Sequence, residues 1–375
     1  MSFARMKLLM EDPPEKLTEA HHFALLSQRM PIELGFSGYT SRQNNLVENH
    51  LRICLDVRPE AETIVTVSAS EPILSEAAST YMRSPGFSMA QALQDVLTGY
   101  SISQGDRGEL ISAAILTQAR DAVVQKQTEA SLETLPTFTV ADFMSALLGE
   151  RFLDCEPSQF HPSSHPSDSP KSLRDTFSKS AMHFNHFIKP HEQEMGTNRL
   201  NLLSFIIRGA AVQSAGNQPG WDKLIMFLYW DDRLQKHNVG FILVQDKNDP
   251  SITLSQAGPL FDRMDPFELG LFEDGETPIP IIRLIFSMGR EKSQTTQYIR
   301  PVDELPPQFT SFDFMCEGLS SKVFPAMKEE SAWKTALRMS AVKRLMEKET
   351  VVGAKRMYPL GGEGHSLMVT DTSIS

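Results

Sequence analysis

The sequence predicts an α/β (α+β) chain: a small mixed central sheet flanked by helices and preceded by a helical N-terminal region. Two observations carry this. Three short, nearly unbroken apolar runs, Lys223 to Trp230, Val239 to Val244 and Ile279 to Phe286, are bounded by polar turns. Such runs are the pattern of strands buried on both faces under helices. The first hundred residues carry apolar side chains at helical spacing instead. Leu17, Ala20, Phe23 and Ala24 mark a helix over Glu15 to Arg29 that stops before Pro31.

Further helices are expected over Asn44 to Leu55, Ser70 to Met82, Ser88 to Thr98 and Asp106 to Gln125, with a short strand at Ile64 to Val67. Cys155 to Ser180, rich in Ser, Pro and His, reads as an exposed insertion with too little apolar surface to offset the entropy of ordering. Arg199 to Ala211 is amphipathic, and Ser331 to Lys348 is a basic amphipathic helix. The domain organisation expected is a helical region over 1–100, then a core over 101–325 with a long insertion near 127–198. A basic C-terminal helix over 326–358 and a disordered tail over 359–375 follow.

Composition excludes several classes. Of the 375 residues 41% are apolar, enough for a packed core, yet no long uncharged apolar run suggests a membrane span. Met1 to Met10 lacks the apolar block of a secretory signal. Three distant cysteines, Cys54, Cys155 and Cys316, form no disulfide framework and fit a reducing intracellular compartment, nuclear or cytoplasmic. No phosphate-binding Gly-rich loop and no Gly-x-Ser-x-Gly elbow occurs. The net charge of -11 opposes a general affinity for phosphate backbones, although a local basic face is compatible with it.

Polar residues at the strand ends form the sharpest constellation. Asp222 immediately precedes the first apolar run, and Gln245-Asp246-Lys247 immediately follows the second. A hairpin turning within Asp231 to Asn238 would bring Asp222 beside Gln245. Alternation then puts Gln245 and Lys247 on one side of the strand and Asp246 on the other. Each residue alone has a plainer reading. Asp106-Arg-Gly-Glu109 fits a helix capping box, Asp222 follows a Pro-Gly turn, and Lys247-Asn-Asp-Pro is an ordinary strand exit. The groups Cys155, His161, His165 and His183, His186, His191 lack the spacing of a zinc site.

An acid at the head of one strand, followed by Glu/Gln-x-Lys at the end of its hairpin partner, resembles the PD-(D/E)xK, or restriction-endonuclease-like, nuclease superfamily. Glu109, on a helix before the sheet, matches the additional Glu often found there. The phrases Phe184-Asn-His-Phe-Ile-Lys-Pro190, Arg208-Gly-Ala-Ala211 and Gln218-Pro-Gly220 also resemble uncharacterised proteins of mushroom-forming fungi. A weaker resemblance is to fungal proteins of Crinkler type, some of which pair an ATPase with such a nuclease. The resemblance implies a Mg²⁺- or Mn²⁺-dependent nuclease acting on nucleic acid, DNA first. Glu109, Asp222, Gln245 and Lys247 would be catalytic, and Asp222, Gln245, Glu109 and the carbonyl of Asp246 would hold the metal. Hard cations take such oxygen ligands, and a lysine steadies charge growing on the phosphate. Gln at 245 departs from the acidic pattern, and the gap from Glu109 to Asp222 is long. The rival expectation is an inactive nuclease-like domain serving as a protein or nucleic-acid interaction module, within an assembly or homo-oligomer.

Overall fold

Apolar side chains at helical spacing fold most of the N-terminal hundred residues into helices, with one hairpin among them. In the computed structural model, residues 2–10, 16–32, 40–58, 63–99, 104–127, 136–162, 169–190, 199–214, 219–230, 233–301 and 307–339 are described. Helices α1 (Ser2–Leu9), α2 (Glu19–Ser27) and α3 (Thr40–Asn49) come first. Strands β1 (Arg52–Arg58) and β2 (Thr63–Ser68) then pair antiparallel. The helix expected over 44–55 therefore ends early. Leu51 takes a positive φ of 57°, which no helix continues, and turns the chain into β1.

Helices α4 (Pro72–Met82), α5 (Met89–Gly99) and α6 (Gln104–Gln127) match their expected positions. Next come α7 (Val140–Leu148), α8 (Leu173–Phe177) and the short strands β3 (Ala181–Met182) and β4 (His186–Ile188). Here the exposed insertion expected over Cys155 to Ser180 is corrected in part: Glu156, Pro162, Ser169 and Pro170 are exposed, but the segment is anchored in the core. Among its described residues, Ser158 and Gln159 are buried, and the Ser158 N–H donates to the Ser311 carbonyl. Leu173 and Phe177, one helical turn apart behind the Ser172 cap, are fully buried. Two well-placed apolar anchors outweigh a polar composition, because burial depends on which face they share. The longer insertion expected near 127–198 also supplies β3 and β4 to the sheet.

Beyond it, α9 (Arg199–Ile207) stops where Gly209, at φ 60°, redirects the chain into β5 (Ala210–Gln213). Strands β6 (Lys223–Leu228) and β7 (Val239–Lys247) pair antiparallel, as their apolar runs require. After α10 (Ala257–Asp262) come β8 (Ile281–Ser287), β9 (Gln294–Gln297), β10 (Ser311–Glu317) and α11 (Glu330–Arg338). The sheet runs β4-β5-β6-β7-β8-β10-β9, with β3 beside the far end of β6. Its β7-β8 and β8-β10 pairs are parallel.

Both faces are covered, which is why β6, β8 and β10 are buried along their whole length. Even-numbered β7 residues face α6, since Ser112 of α6 bonds to Asp246. Odd-numbered ones face α10: Leu243 pairs with Arg283, whose guanidinium donates to the Phe261 carbonyl. Met1–Met339 form one compact unit. A buried ionic network ties its N-terminal helices to α6. Arg29 grips Asp121 through two bonds of 2.5 and 2.9 Å, and Arg120 reaches Glu76 at 2.6 Å. The start of the basic helix expected near the C-terminus is α11, which docks through buried Trp333 and Leu337. Its extension past Met339 and the expected tail lie outside the described residues. Among the described residues no helix is long and apolar enough to cross a membrane.

Candidate functional site

The end of the β6–β7 hairpin faces the first turns of α6, and polar residues from four elements meet there. Lys223 opens β6 in an otherwise apolar run and is fully buried. A buried ammonium needs a partner. Register supplies one: Lys223 stands opposite Val244, so its side chain shares a face with Asp246 two residues on. The Lys223 ammonium forms an ion pair with Asp246 Oδ2. The same oxygen accepts the Ser112 hydroxyl at 2.6 Å. Asp222 lies just before β6, where its N–H donates to the Val244 carbonyl and its Oδ2 accepts the Asp246 N–H at 2.6 Å. Gly220, at φ 92°, shapes the preceding turn, where a Cβ would lie 2.3 Å from the Arg263 carbonyl oxygen.

Glu109 reaches this group from α6. The helix begins at Gln104, so Asp106 is not its cap, and the capping-box reading of Glu109 is set aside. Its Oε2 instead accepts from Gln213 Nε2 of β5 at 2.7 Å. Gly108 permits the close approach of helix and strand end: a Cβ there would lie 3.3 Å from the Asn248 Cβ.

Electrostatically the cluster is over-supplied with carboxylates. Burial raises the Glu109 pKa to about 7; Lys223 opposes the rise, while Asp222, Asp246 and Asp106 add to it. Burial also raises Asp222, to about 6, with repulsion from Asp246 next in size and partial relief from Lys223 and Lys247. One buried ammonium does not neutralise three neighbouring carboxylates, so a proton or another cation is favoured there.

Of the residues singled out in the sequence, Glu109, Asp222 and Asp246 are brought together. Gln245 and Lys247 point to the opposite face of β7, towards the α10 side. Gln245 is buried there with its Oε1 unpartnered, and Lys247 remains close enough to Asp222 to stabilise its charge. Asp246 contributes a side chain where only its carbonyl was expected, and its Oδ1 has no hydrogen-bond partner. Lys223 was missed, although a lysine leading a wholly apolar strand is itself a sign of a buried partner. Among the described residues, no three His, Cys, Asp or Glu side chains meet at metal-binding spacing. The histidines whose spacing argued against a zinc site are engaged elsewhere: His183 bonds to the Pro136 carbonyl and His186 lies between Ser70 and Asn185, while His165 and His191 are outside the described residues.

Comparison with curated proteins and with solved structures finds no match. A family described as a domain of unknown function, DUF8736, matches residues 15–260, a span that includes Glu109, Asp222 and Gln245 to Lys247. That span is more than half of the chain, and the protein belongs to this family.

Proposed function

We propose that this protein is a metal-dependent phosphodiester hydrolase with a restriction-endonuclease-like core, acting on nucleic acid and on DNA first. The supporting observation is the convergence of Glu109, Asp222 and Asp246 around Lys223 at the end of a buried hairpin. An acid before β6, a Gln-x-Lys ending its antiparallel partner and a Glu on the preceding helix are the pattern named above. The donor set suits a hard cation, being all oxygen, and Asp246 Oδ1 is a buried acceptor still lacking a partner. The three carboxylates stand wider apart than a metal's ligands, so Glu109, Asp222 and Asp246 would hold Mg²⁺ or Mn²⁺ only through side-chain rotation or bridging waters. The cation when bound lowers the pKa of water and offsets charge on the phosphate. Without a cation the Glu109 pKa stands near 7, so binding one at neutral pH would displace the Glu109 proton. Lys223 fixes Asp246, and Lys247 places a second positive charge beside Asp222.

A second reading, an inactive nuclease-like interaction module, has its own support. Lys223 already occupies Asp246, Gln213 already holds Glu109, and the chain is strongly acidic. Nicking of supercoiled DNA separates the two. The hydrolase nicks with Mg²⁺ or Mn²⁺, stops with EDTA, and loses both cleavage and metal binding in Asp222→Ala. Lys247→Ala keeps metal binding and slows cleavage. Failure of the wild type to cut DNA or RNA with either metal would establish the interaction module instead.

A further inference from the structure

A second line of polar groups lies away from the carboxylate cluster, where the loop after β2 meets the start of β4. His186 is buried, and each of its ring nitrogens has a partner. Nε2 is 2.7 Å from Ser70 Oγ, and Nδ1 is 2.7 Å from Asn185 Oδ1. The neighbours fix every proton in this chain. Asn185 Nδ2 donates to the Pro72 carbonyl at 3.0 Å and faces the Glu76 carboxylate at 3.4 Å. Both of those are acceptors only, so Asn185 presents its Oδ1 to His186. His186 must therefore carry its proton on Nδ1, which leaves the Nε2 lone pair for the Ser70 hydroxyl. Arg208 completes the group, with Nε donating to Ser70 Oγ at 3.3 Å and Nη2 to the Ser70 carbonyl.

A hydroxyl donating to an unprotonated imidazole, itself oriented through Nδ1 by a third side chain, is the geometry of an activated nucleophile. We propose that Ser70, His186 and Asn185 form a nucleophilic site for acyl esters, with Arg208 beside the developing oxyanion. Ser70 Oγ bonds to the ester carbonyl carbon while its proton passes to His186 Nε2. Collapse of the tetrahedral adduct breaks the bond to the leaving oxygen, which takes that proton and departs as an alcohol. Water then releases the acid by the same route, restoring Ser70. Burial first, then Arg208, Arg29 and His183, holds His186 down at about 3, so Nε2 is unprotonated at neutral pH but is a weak base, and its assistance to Ser70 is modest. Ser70 is half-buried and Arg208 exposed, so a reagent can reach the hydroxyl. No Gly-x-Ser-x-Gly elbow presents this serine, which is why the sequence offered no sign of it.

The test is a tagged fluorophosphonate on the full chain, in which Ser70 Oγ bonds to phosphorus and fluoride leaves. Peptide mass spectrometry should place the label on Ser70, and Ser70→Ala should lose it. His186→Gln should slow labelling by about 10-fold or more, below the usual scale of general-base assistance because this imidazole is a weak base. If His186→Gln melts early, the exposed Arg208→Ala serves in its place and should slow labelling about 10-fold or more with the fold intact. Hydrolysis of p-nitrophenyl acetate should follow the same order. Wild-type protein unlabelled at Ser70, or labelled equally fast in a folded His186→Gln or Arg208→Ala variant, would overturn the proposal. Neither result bears on nicking, since Ser70 has no part in the carboxylate cluster.

Discussion

Replacing Glu109 with glutamine removes one charge from the crowded cluster while keeping an oxygen for Gln213 Nε2. The consequence follows from the raised pKa of Glu109, about 7 against the ordinary 4.5. Between these values the folded state binds more protons than the unfolded chain, so stability falls as pH rises. The contribution of Glu109 is fully present below about 4.5 and is lost as pH passes about 7. A shift of this size has a ceiling of about 3 kcal/mol. Glu109 is only half-buried, and solvent screening reduces the expected effect to about 1–2 kcal/mol. Glu109→Gln should therefore be more stable than wild type by about that amount at pH 8 and equal to it near pH 4.5. Urea unfolding across this range, followed by tryptophan fluorescence, measures it. A residual slope should persist in the variant below about 6, from Asp222. With Mg²⁺ at pH 8 the wild type should gain stability and the variant much less, because ligand binding to the folded state alone stabilises it. An equal loss of stability at every pH would refute the reasoning, since it would mean that the Glu109 carboxylate is an ordinary structural acceptor.

Two further changes test the packing. Asp121→Ala leaves Arg29 buried without its carboxylate, while Arg120 keeps Glu76, and should cost about 3–5 kcal/mol, read as a lower urea midpoint; a change under about 1 kcal/mol would show the Arg29 guanidinium to be hydrated. Phe177→Ala removes a ring lodged among Phe227, Tyr229 and Phe312 and should cost about 3–5 kcal/mol. Wild-type protein should also resist limited proteolysis between Leu173 and Phe177, whereas cutting there first would contradict the packing of α8.

The hairpin of β6 and β7 could be read directly, because a strand buried on both faces needs an unbroken apolar run and its turn needs polar residues. Helices α4 to α6 were legible for the same local reason, their 3.6-residue spacing. β5 and β10 were not. β5 is four residues following a helix, and β10 (Ser311–Glu317) alternates polar with apolar residues although it is wholly buried. Its polar Asp313 is neutralised by Arg283 from β8, through bonds of 2.6 and 2.7 Å that no local pattern announces.

The candidate site divides in the same way. The sequence by itself determined that Asp222 and the Gln245–Lys247 segment would meet, since hairpin register is local arithmetic. It also determined that Asp246 would face away from Gln245 and Lys247. Which face would meet Glu109 was decided only by the tertiary structure, because it depends on the side of the sheet against which α6 packs. α6 lies on the Asp246 side, and that choice draws in Lys223, Ser112 and Gln213 from separate parts of the chain. The shifts of Glu109 and Asp222 arise from the same packing, since burial and mutual repulsion exist only once three distant carboxylates have been placed around one lysine.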